Sequence, residues 1–258
     1  MSESTSTTNI TFSRNELLQL NSRTLPLSRK TRKLIFNSKL WCPPRQRLAI
    51  TKPRIYATSN GTKCGLLNAH SVNNKEASIS ALINDCDLDF LFLTETWCHD
   101  NSSVSQERLK PRGYDAKFCN REGKGGGGVG CVFRLSATVK PIPSKKFSSF
   151  DHLVLKIQFL KETLKVIIIY KPDGIYSTTF HAEFTELLNI QFARDNFKPL
   201  IVGDLNFHVN TPDEPNAKKY LDTLTSFDLI QHVNFPTQIC GNTLDHIITR
   251  GDLGTNNL

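Results

Sequence analysis

The chain has no long apolar run, no Cys-x-x-Cys pair and no Gly-Lys-Ser or Gly-Lys-Thr motif. Its most apolar run, residues 166–170, is only as long as a strand, so no membrane-spanning helix is expected. Seven cysteines without metal-ligand spacing argue against a zinc site or a disulfide framework. The first eight residues lack the basic and apolar regions of a signal peptide. We therefore expect an intracellular protein, nuclear or cytoplasmic and not secreted.

The positive charge is concentrated at the start of the chain. Residues 1–60 contain eleven Lys or Arg and two Glu, a net charge of +9, so the remainder carries −1 of the total of +8. Abundant Ser, Thr, Lys and Arg with little apolar periodicity predict a disordered basic arm over 1–60 and one domain over 61–258. Such an arm favours contact with a polyanion, most simply nucleic acid; a solvated leader without a partner is the alternative.

The domain begins with a βαβ-like pattern. Apolar runs predict strands at 64–71 and 90–93, and apolar residues at helical spacing predict a helix over 77–83 between them. Neighbouring parallel strands end on the same edge of a sheet. Asn68 and Glu95, which follow these two apolar runs, are therefore expected to lie side by side.

The middle of the chain predicts an antiparallel meander interrupted by glycine. Alternating or continuous apolar residues predict strands at 114–118, 129–134, 153–159 and 164–170. Four consecutive glycines at 125–128 precede the second of these strands. Without a following Lys-Ser or Lys-Thr they indicate a flexible hairpin connection rather than a phosphate-binding loop.

A buried strand at 199–202 leads directly into Gly-Asp-x-Asn. Gly203 allows a sharp bend at the end of the strand, where a Cβ would be in the way. Asp204 and Asn206 are two residues apart, so on an extended segment both side chains point to the same side. The carboxylate can accept a proton from water or hold a cation, and the amide can donate to a phosphate oxygen. An Asp-x-Asn turn that caps local backbone groups is the alternative.

Polar residues follow several apolar strands at the point where each strand ends, and Asp245 lies within a further apolar segment, where an unpaired carboxylate is costly. The set comprises Asn68, Glu95, Tyr170, the Asp204/Asn206 pair and Asp245. Their repeated placement predicts one polar site at one edge of a sheet.

The same residues carry a resemblance to the endonuclease/exonuclease/phosphatase superfamily, which includes DNase I and the apurinic endonucleases. The segments are LNAHS, FLTETW, IYKP, VGDLN and TLD, within about residues 64–258, and they are most similar to the endonuclease domains of LINE-type non-LTR retrotransposons. The resemblance implies an α/β fold: a four-layered α/β/β/α sandwich in which two mixed sheets pack face to face with helices outside.

The resemblance also implies a phosphodiesterase that depends on Mg²⁺, with Mn²⁺ as a possible substitute, and that nicks DNA. It assigns the metal to Glu95, with Asn68 beside it. It assigns the positioning or deprotonation of the attacking water to Asp204, and the orientation of a catalytic histidine to Asp245. A hard cation with oxygen ligands suits this chemistry.

Further residues are assigned to the phosphate by the same resemblance. Asn206 and Tyr170 would stabilise the charge that builds on phosphorus. Asn68 could also hold a phosphate oxygen. His70 and Lys171 stand where LINE-type relatives usually have arginine, which implies weaker phosphate contacts.

The sequence departs from the family at its end, because no Ser-Asp-His segment follows Asp245. His246 should face away from Asp245 on the strand, and His208 lies outside the catalytic role. We therefore expect a truncated copy that lacks its last strand or strands and has impaired activity. DNA is the expected partner of a monomer without membrane contact or an obligate protein partner. The alternatives are an inactive nucleic-acid-binding remnant and a phosphatase of small phosphoesters.

Overall fold

The computed structural model describes eight segments of the chain, namely residues 10–11, 62–99, 103–121, 125–159, 162–174, 177–193, 197–238 and 240–250. Its strands are β1 (Ile10–Thr11), β2 (Thr62–Asn68), β3 (Phe90–Thr94), β4 (Tyr114–Cys119), β5 (Val129–Arg134), β6 (Thr138–Pro141), β7 (Asp151–Phe159), β8 (Glu162–Tyr170), β9 (Lys198–Asp204), β10 (Leu229–Gln231) and β11 (Asp245–Arg250). Its helices are α1 (Glu76–Asp85), α2 (Ser103–Arg108), α3 (Ser177–Phe192) and α4 (Pro215–Ser226).

The strands form two mixed sheets. The first has the order β1-β2-β3-β5-β4 and the second the order β10-β11-β9-β8-β7-β6. The pairs β2/β3 and β8/β9 are parallel, so each pair ends on one edge, as the βαβ pattern predicts for the first. The predicted meander is divided between the sheets, because β4 and β5 pair in the first sheet whereas β6, β7 and β8 pair in the second.

Apolar side chains pack in three layers between these elements. One cluster, which includes Phe92 and Ile168, fills the space between the two sheets. A second joins the first sheet to α1 through residues such as Ile83, and a third joins the second sheet to α3 and α4 through residues such as Phe184 and Tyr220. The predicted four-layered α/β/β/α sandwich is thus confirmed.

The ends of the chain are described only in part. Ile10 and Thr11 pair in parallel with Thr62 and Lys63 at the edge of the first sheet. The rest of the predicted basic arm, and residues 251–258, lie outside the described residues. Among the helices that the structure describes, none is long and apolar enough to cross a membrane.

Gly203 lies inside β9 rather than at a bend after it. A Cβ at this position would stand 1.8 Å from the carbonyl oxygen of Ile169 on the neighbouring strand β8. The prediction that a Cβ would be in the way is confirmed, but the obstacle is the adjacent strand. The chain leaves the strand only after Asp204, and Asn206 has a φ of +52°.

Candidate active site

Asn68 connects the two sheets at one edge. It ends β2, and its Nδ2 donates to Oε1 of Glu95 and to Oδ2 of Asp204, both at 2.8 Å. Its Oδ1 accepts a hydrogen bond from the backbone N–H of His70 at 3.1 Å. The predicted proximity of Asn68 and Glu95 is confirmed, and the amide nitrogen is the atom that faces the carboxylates.

Glu95 is the acceptor at the centre of this group. It follows β3 in the left-handed region, with a φ of +50°, and its side chain is 16% exposed. Besides Asn68, its carboxylate accepts from Nε1 of Trp97 at 3.2 Å and from the hydroxyl of Tyr170. The exposed His70 places its Nδ1 3.2 Å from Oε2. Several donors therefore hold one carboxylate at the edge of the first sheet.

Tyr170 and Asp204 end the parallel strands β8 and β9 and are partners in register. Burial raises the pKa of Tyr170, and the negative charges of Glu95 and Asp204 raise it further. The phenol therefore remains protonated at neutral pH and can act as a hydrogen-bond donor.

Asp204 and Asp245 form a close acidic pair on neighbouring strands. They are register partners in β9 and β11. Burial raises the pKa of Asp204 well above its usual range, and the charges of Asp245 and Glu95 add to this effect. Burial also raises the pKa of Asp245, against the hydrogen bond from Thr237. A carboxylate with a raised pKa is a better acceptor for a proton from water.

Asn206 does not lie on an extended segment. The prediction that its side chain points to the same side as Asp204, which assumed such a segment, therefore rests on a wrong geometry. β9 ends at Asp204, and the backbone N–H of Asn206 donates to Oδ1 of Asp204 at 3.2 Å. The side-chain amide of Asn206 donates to the carbonyl oxygen of Lys171 at 2.7 Å. The alternative of a local turn is therefore realised, while the assignment of Asn206 to the phosphate stays a prediction.

Lys171 points away from this group. Its Nζ lies 5.1 Å from the ring centre of Phe207 and donates to the carbonyl oxygen of Pro172 at 3.4 Å. Burial lowers the pKa of this lysine. Because Lys171 follows Tyr170, its side chain emerges on the opposite face. The ammonium of Lys171 therefore faces Phe207 rather than Glu95, although the charge of Asp204 acts on it.

His246 has the orientation that the sequence predicts. His246 is fully buried on the face opposite Asp245, with its Nδ1 2.9 Å from the hydroxyl of Tyr220. Burial lowers its pKa to about 4. His208 is exposed after the strand that carries Asp204.

Sequence reasoning missed an ion pair beside Tyr170. Arg121 donates from Nε to Oδ1 of Asp151 at 3.0 Å, and its Nη2 lies 2.8 Å from Oδ2. The glycines of the β4–β5 connection pack against this pair. The only sequence signal was that glycine run, since Arg121 and Asp151 lie thirty residues apart in the chain.

Two sheets packed face to face, with carboxylates, an amide and a phenol at their common edge, define a hydrolase fold of the DNase I-like class. The model of the Endonuclease/Exonuclease/phosphatase family matches residues 59–257. The chain belongs to this family, and the resemblance stated from the motifs is confirmed. It therefore stands among the nucleases and phosphatases of that superfamily.

Solved structures share the fold at low sequence identity. The endonuclease domain of TRAS1, a telomere-specific non-LTR retrotransposon, has a TM-score of 0.58 and 12% identity, covering 73% of this chain and 84% of that chain. The AP endonuclease LMAP of Leishmania major has a TM-score of 0.57 and 14% identity, covering 94% and 91%. An AP endonuclease of Archaeoglobus fulgidus has a TM-score of 0.53 and 15% identity, covering 72% and 85%. No curated protein matches the chain.

Proposed function

We propose that the chain is a metal-dependent endonuclease of retrotransposon origin that hydrolyses a phosphodiester bond of DNA. The observation that carries the proposal is the Asn68 bridge, which holds Glu95 and Asp204 together beside Tyr170 and Asp245. Hydrolysis at phosphorus requires a base, fixed hydrogen-bond donors and a place for a hard cation.

The side chains at this edge fit a divalent cation held by one protein carboxylate. Among the described residues, no group of three or more His, Cys, Asp or Glu is arranged to hold a metal ion. Mg²⁺ usually takes only one or two carboxylates and completes its shell with water and substrate phosphate. Burial raises the pKa of Asp204, and the charges of Asp245 and Glu95 add a repulsion that a nearby cation would offset. Glu95 would hold Mg²⁺ or Mn²⁺, which supplies neutralisation of phosphate charge, and Asn68 would keep that carboxylate in place.

The remaining groups act on water and on the phosphate. Asp204 accepts the proton of the attacking water, favoured by the burial and the charge repulsion that raise its pKa. Tyr170 donates its hydroxyl to a phosphate oxygen as negative charge builds there. Turnover is slow in this proposal, because in the described part of the chain Asp245 bonds Thr237 instead of a catalytic histidine. The adjacent His246 is directed to Tyr220.

The test is nicking of supercoiled plasmid by the full chain with Mg²⁺ or Mn²⁺ and with chelator. Glu95→Gln and Asp204→Asn should each reduce the rate by roughly 10²–10⁴-fold. Asp222→Asn, which removes an exposed carboxylate from α4, is the matched control and should leave the rate unchanged.

Two results would contradict the proposal. One is nicking that persists in chelator or survives both site substitutions. The other is hydrolysis of a small phosphomonoester such as p-nitrophenyl phosphate without any DNA nicking, which would favour the phosphatase alternative.

A further inference from the structure

Arg121 is fixed in place by a two-point ion pair. Both oxygens of Asp151 are engaged, Oδ1 by Nε at 3.0 Å and Oδ2 by Nη2 at 2.8 Å. The two side chains are 20% and 16% exposed. A partly buried bidentate pair holds the plane of the guanidinium more firmly than an exposed single contact does.

The glycine run is shaped around this pair. A Cβ on Gly127 would stand 2.5 Å from Oδ2 of Asp151 and 2.6 Å from Cζ of Arg121. Gly127 and Gly128 have φ values of +75° and +81°, and the N–H of Gly128 donates to Oδ2 of Asp151 at 2.8 Å. The ion pair thus explains why the hairpin connection contains glycine, since the backbone must approach the pair where no side chain fits.

The pair adjoins the candidate active site. Asp151 is the register partner of Tyr170 on the neighbouring strand β7. Cζ of Arg121 lies 5.7 Å from the ring centre of Tyr170, and its positive charge acts to lower the pKa that burial raises. The hydroxyl of Tyr170 bonds Glu95, so one aromatic ring separates the guanidinium from the central carboxylate.

The site otherwise presents mainly negative charge to an anionic substrate. Glu95, Asp204 and Asp245 are acidic, and the ammonium of Lys171 is directed to Phe207 on the other face. A guanidinium has five N–H donors, and its bonds to Asp151 are made by Nε and Nη2. Its planar fork is suited to phosphate oxygens even when one edge is already paired.

We propose that Arg121 contacts a backbone phosphate oxygen of the nucleic acid substrate, the role that the family resemblance implies for Lys171. The inference rests on the proposed function only for the class of substrate. Asp151 and the glycine run act as positioning elements that aim the guanidinium across Tyr170.

Binding rather than cleavage is the appropriate test, because it does not depend on turnover. The full chain is titrated with a fluorescein-labelled 12-nucleotide single-stranded DNA in chelator, at several KCl concentrations. Arg121→Gln should weaken binding by about tenfold, since a hydrogen bond to a charged group is lost. The slope of log K against log salt should fall by about 0.7, the value for one phosphate contact on a single strand.

Two further variants separate a phosphate contact from a structural support. Lys171→Gln removes a buried cation on the opposite face and should change neither the affinity nor the slope. Arg121→Lys should restore the slope, since it restores the charge, while recovering only part of the affinity.

The results distinguish failure of the inference about Arg121 from failure of the proposed function. An Arg121→Gln protein that melts lower but keeps the wild-type affinity and slope would show a supporting ion pair and overturn the inference. If the slope falls as expected but the wild-type chain fails to nick plasmid, the inference stands and the proposed function fails. No DNA binding by the wild-type chain would overturn both.

Discussion

The two faces of the second sheet differ sharply at the edge where β8, β9 and β11 meet. The inner face carries Tyr170, Asp204 and Asp245, which bond polar groups of both sheets. The outer face carries Lys171 and His246, which pack against aromatic rings of the helix layer. Tyr170 and Lys171 are adjacent in the chain, as are Asp245 and His246, so a single step along a strand separates an active-site position from a core position.

Burial alone does not distinguish the two faces. It favours the neutral form everywhere, raising the pKa of Asp204 and lowering the pKa values of Lys171 and His246. What distinguishes the inner face is a second contribution, the repulsion among three carboxylates. Charge repulsion retained inside a fold is a common mark of a chemical site, whereas the ammonium of Lys171 packs against an aromatic ring.

The largest expected effect comes from Gly203→Ala, which should disrupt both faces. The added Cβ would stand 1.8 Å from the carbonyl oxygen of Ile169, so β8 and β9 must separate. We expect a loss of more than about 4 kcal/mol in the free energy of unfolding, measured by denaturant titration. Gly174→Ala is the control, because it also has a positive φ but nothing within 4 Å, and should cost about 1–2 kcal/mol. Equal losses in the two variants would contradict the close strand contact.

The adjacent pair Tyr170 and Lys171 offers a direct comparison of the faces. Tyr170→Phe should slow plasmid nicking by roughly 10²-fold, because a donor to the developing phosphate charge is removed. Lys171→Gln should leave the rate within about threefold, although it can alter stability, since its ammonium faces Phe207. Comparable rate losses from the two substitutions would remove the distinction between the faces.

On the outer face, His246 should make the protein sensitive to acid. Its pKa is lowered to about 4 in the fold, whereas an unfolded histidine has a pKa near 6.5. The unfolded chain therefore binds a proton that the folded chain excludes, and stability falls as the pH drops from about 6.5 to about 4. His246 should contribute about 3 kcal/mol to this loss, measured by urea titration at several pH values; His152 and His181, whose pKa values burial also lowers to about 4, add to the total.

His246→Gln should reduce the acid-dependent loss by about that amount, whereas the exposed His208→Gln should leave it unchanged. An acid-dependent loss that is unchanged in His246→Gln would assign the effect to other groups.

On the inner face, Asp204 should show the opposite pH dependence. Its pKa is raised in the fold, so the carboxylate ionises first in the unfolded chain, and stability decreases as the pH rises from about 3.9 to the raised pKa. Asp204→Asn removes this penalty, and we expect about 1 kcal/mol more stability at pH 7 together with lost activity. The difference from wild type should vanish near pH 3, where the carboxyl is protonated in both states. A variant less stable than wild type at pH 7 would show that the ionised carboxylate stabilises the fold.

Much of this arrangement was predictable from strand ends. Asn68, Glu95, Tyr170 and Asp204 each follow an apolar run, and parallel pairing brings such ends to one edge, as β2/β3 and β8/β9 do. The pairings involve residues far apart in the chain, but each strand carries its own signal in its apolar pattern.

Other features could not be predicted because they depend on local turns or on tertiary contacts. Asn206 leaves the strand direction at Asp204, and the sequence Gly-Asp-x-Asn is compatible with either an extended segment or a turn. The side of the sheet taken by Lys171 depends on where β8 ends. The Arg121–Asp151 pair joins a loop to the start of β7, and no periodic pattern marks either residue.

Trp97 gives the site an intrinsic fluorescence signal. It is one of only two tryptophans in the chain, the other being Trp41, and its indole N–H donates directly to Oε2 of Glu95. Any cation that reaches this carboxylate changes the electric field at the indole and with it the wavelength and intensity of its fluorescence. In a Trp41→Phe protein the emission therefore becomes an intrinsic gauge of occupancy at Glu95, readable with neither substrate nor label.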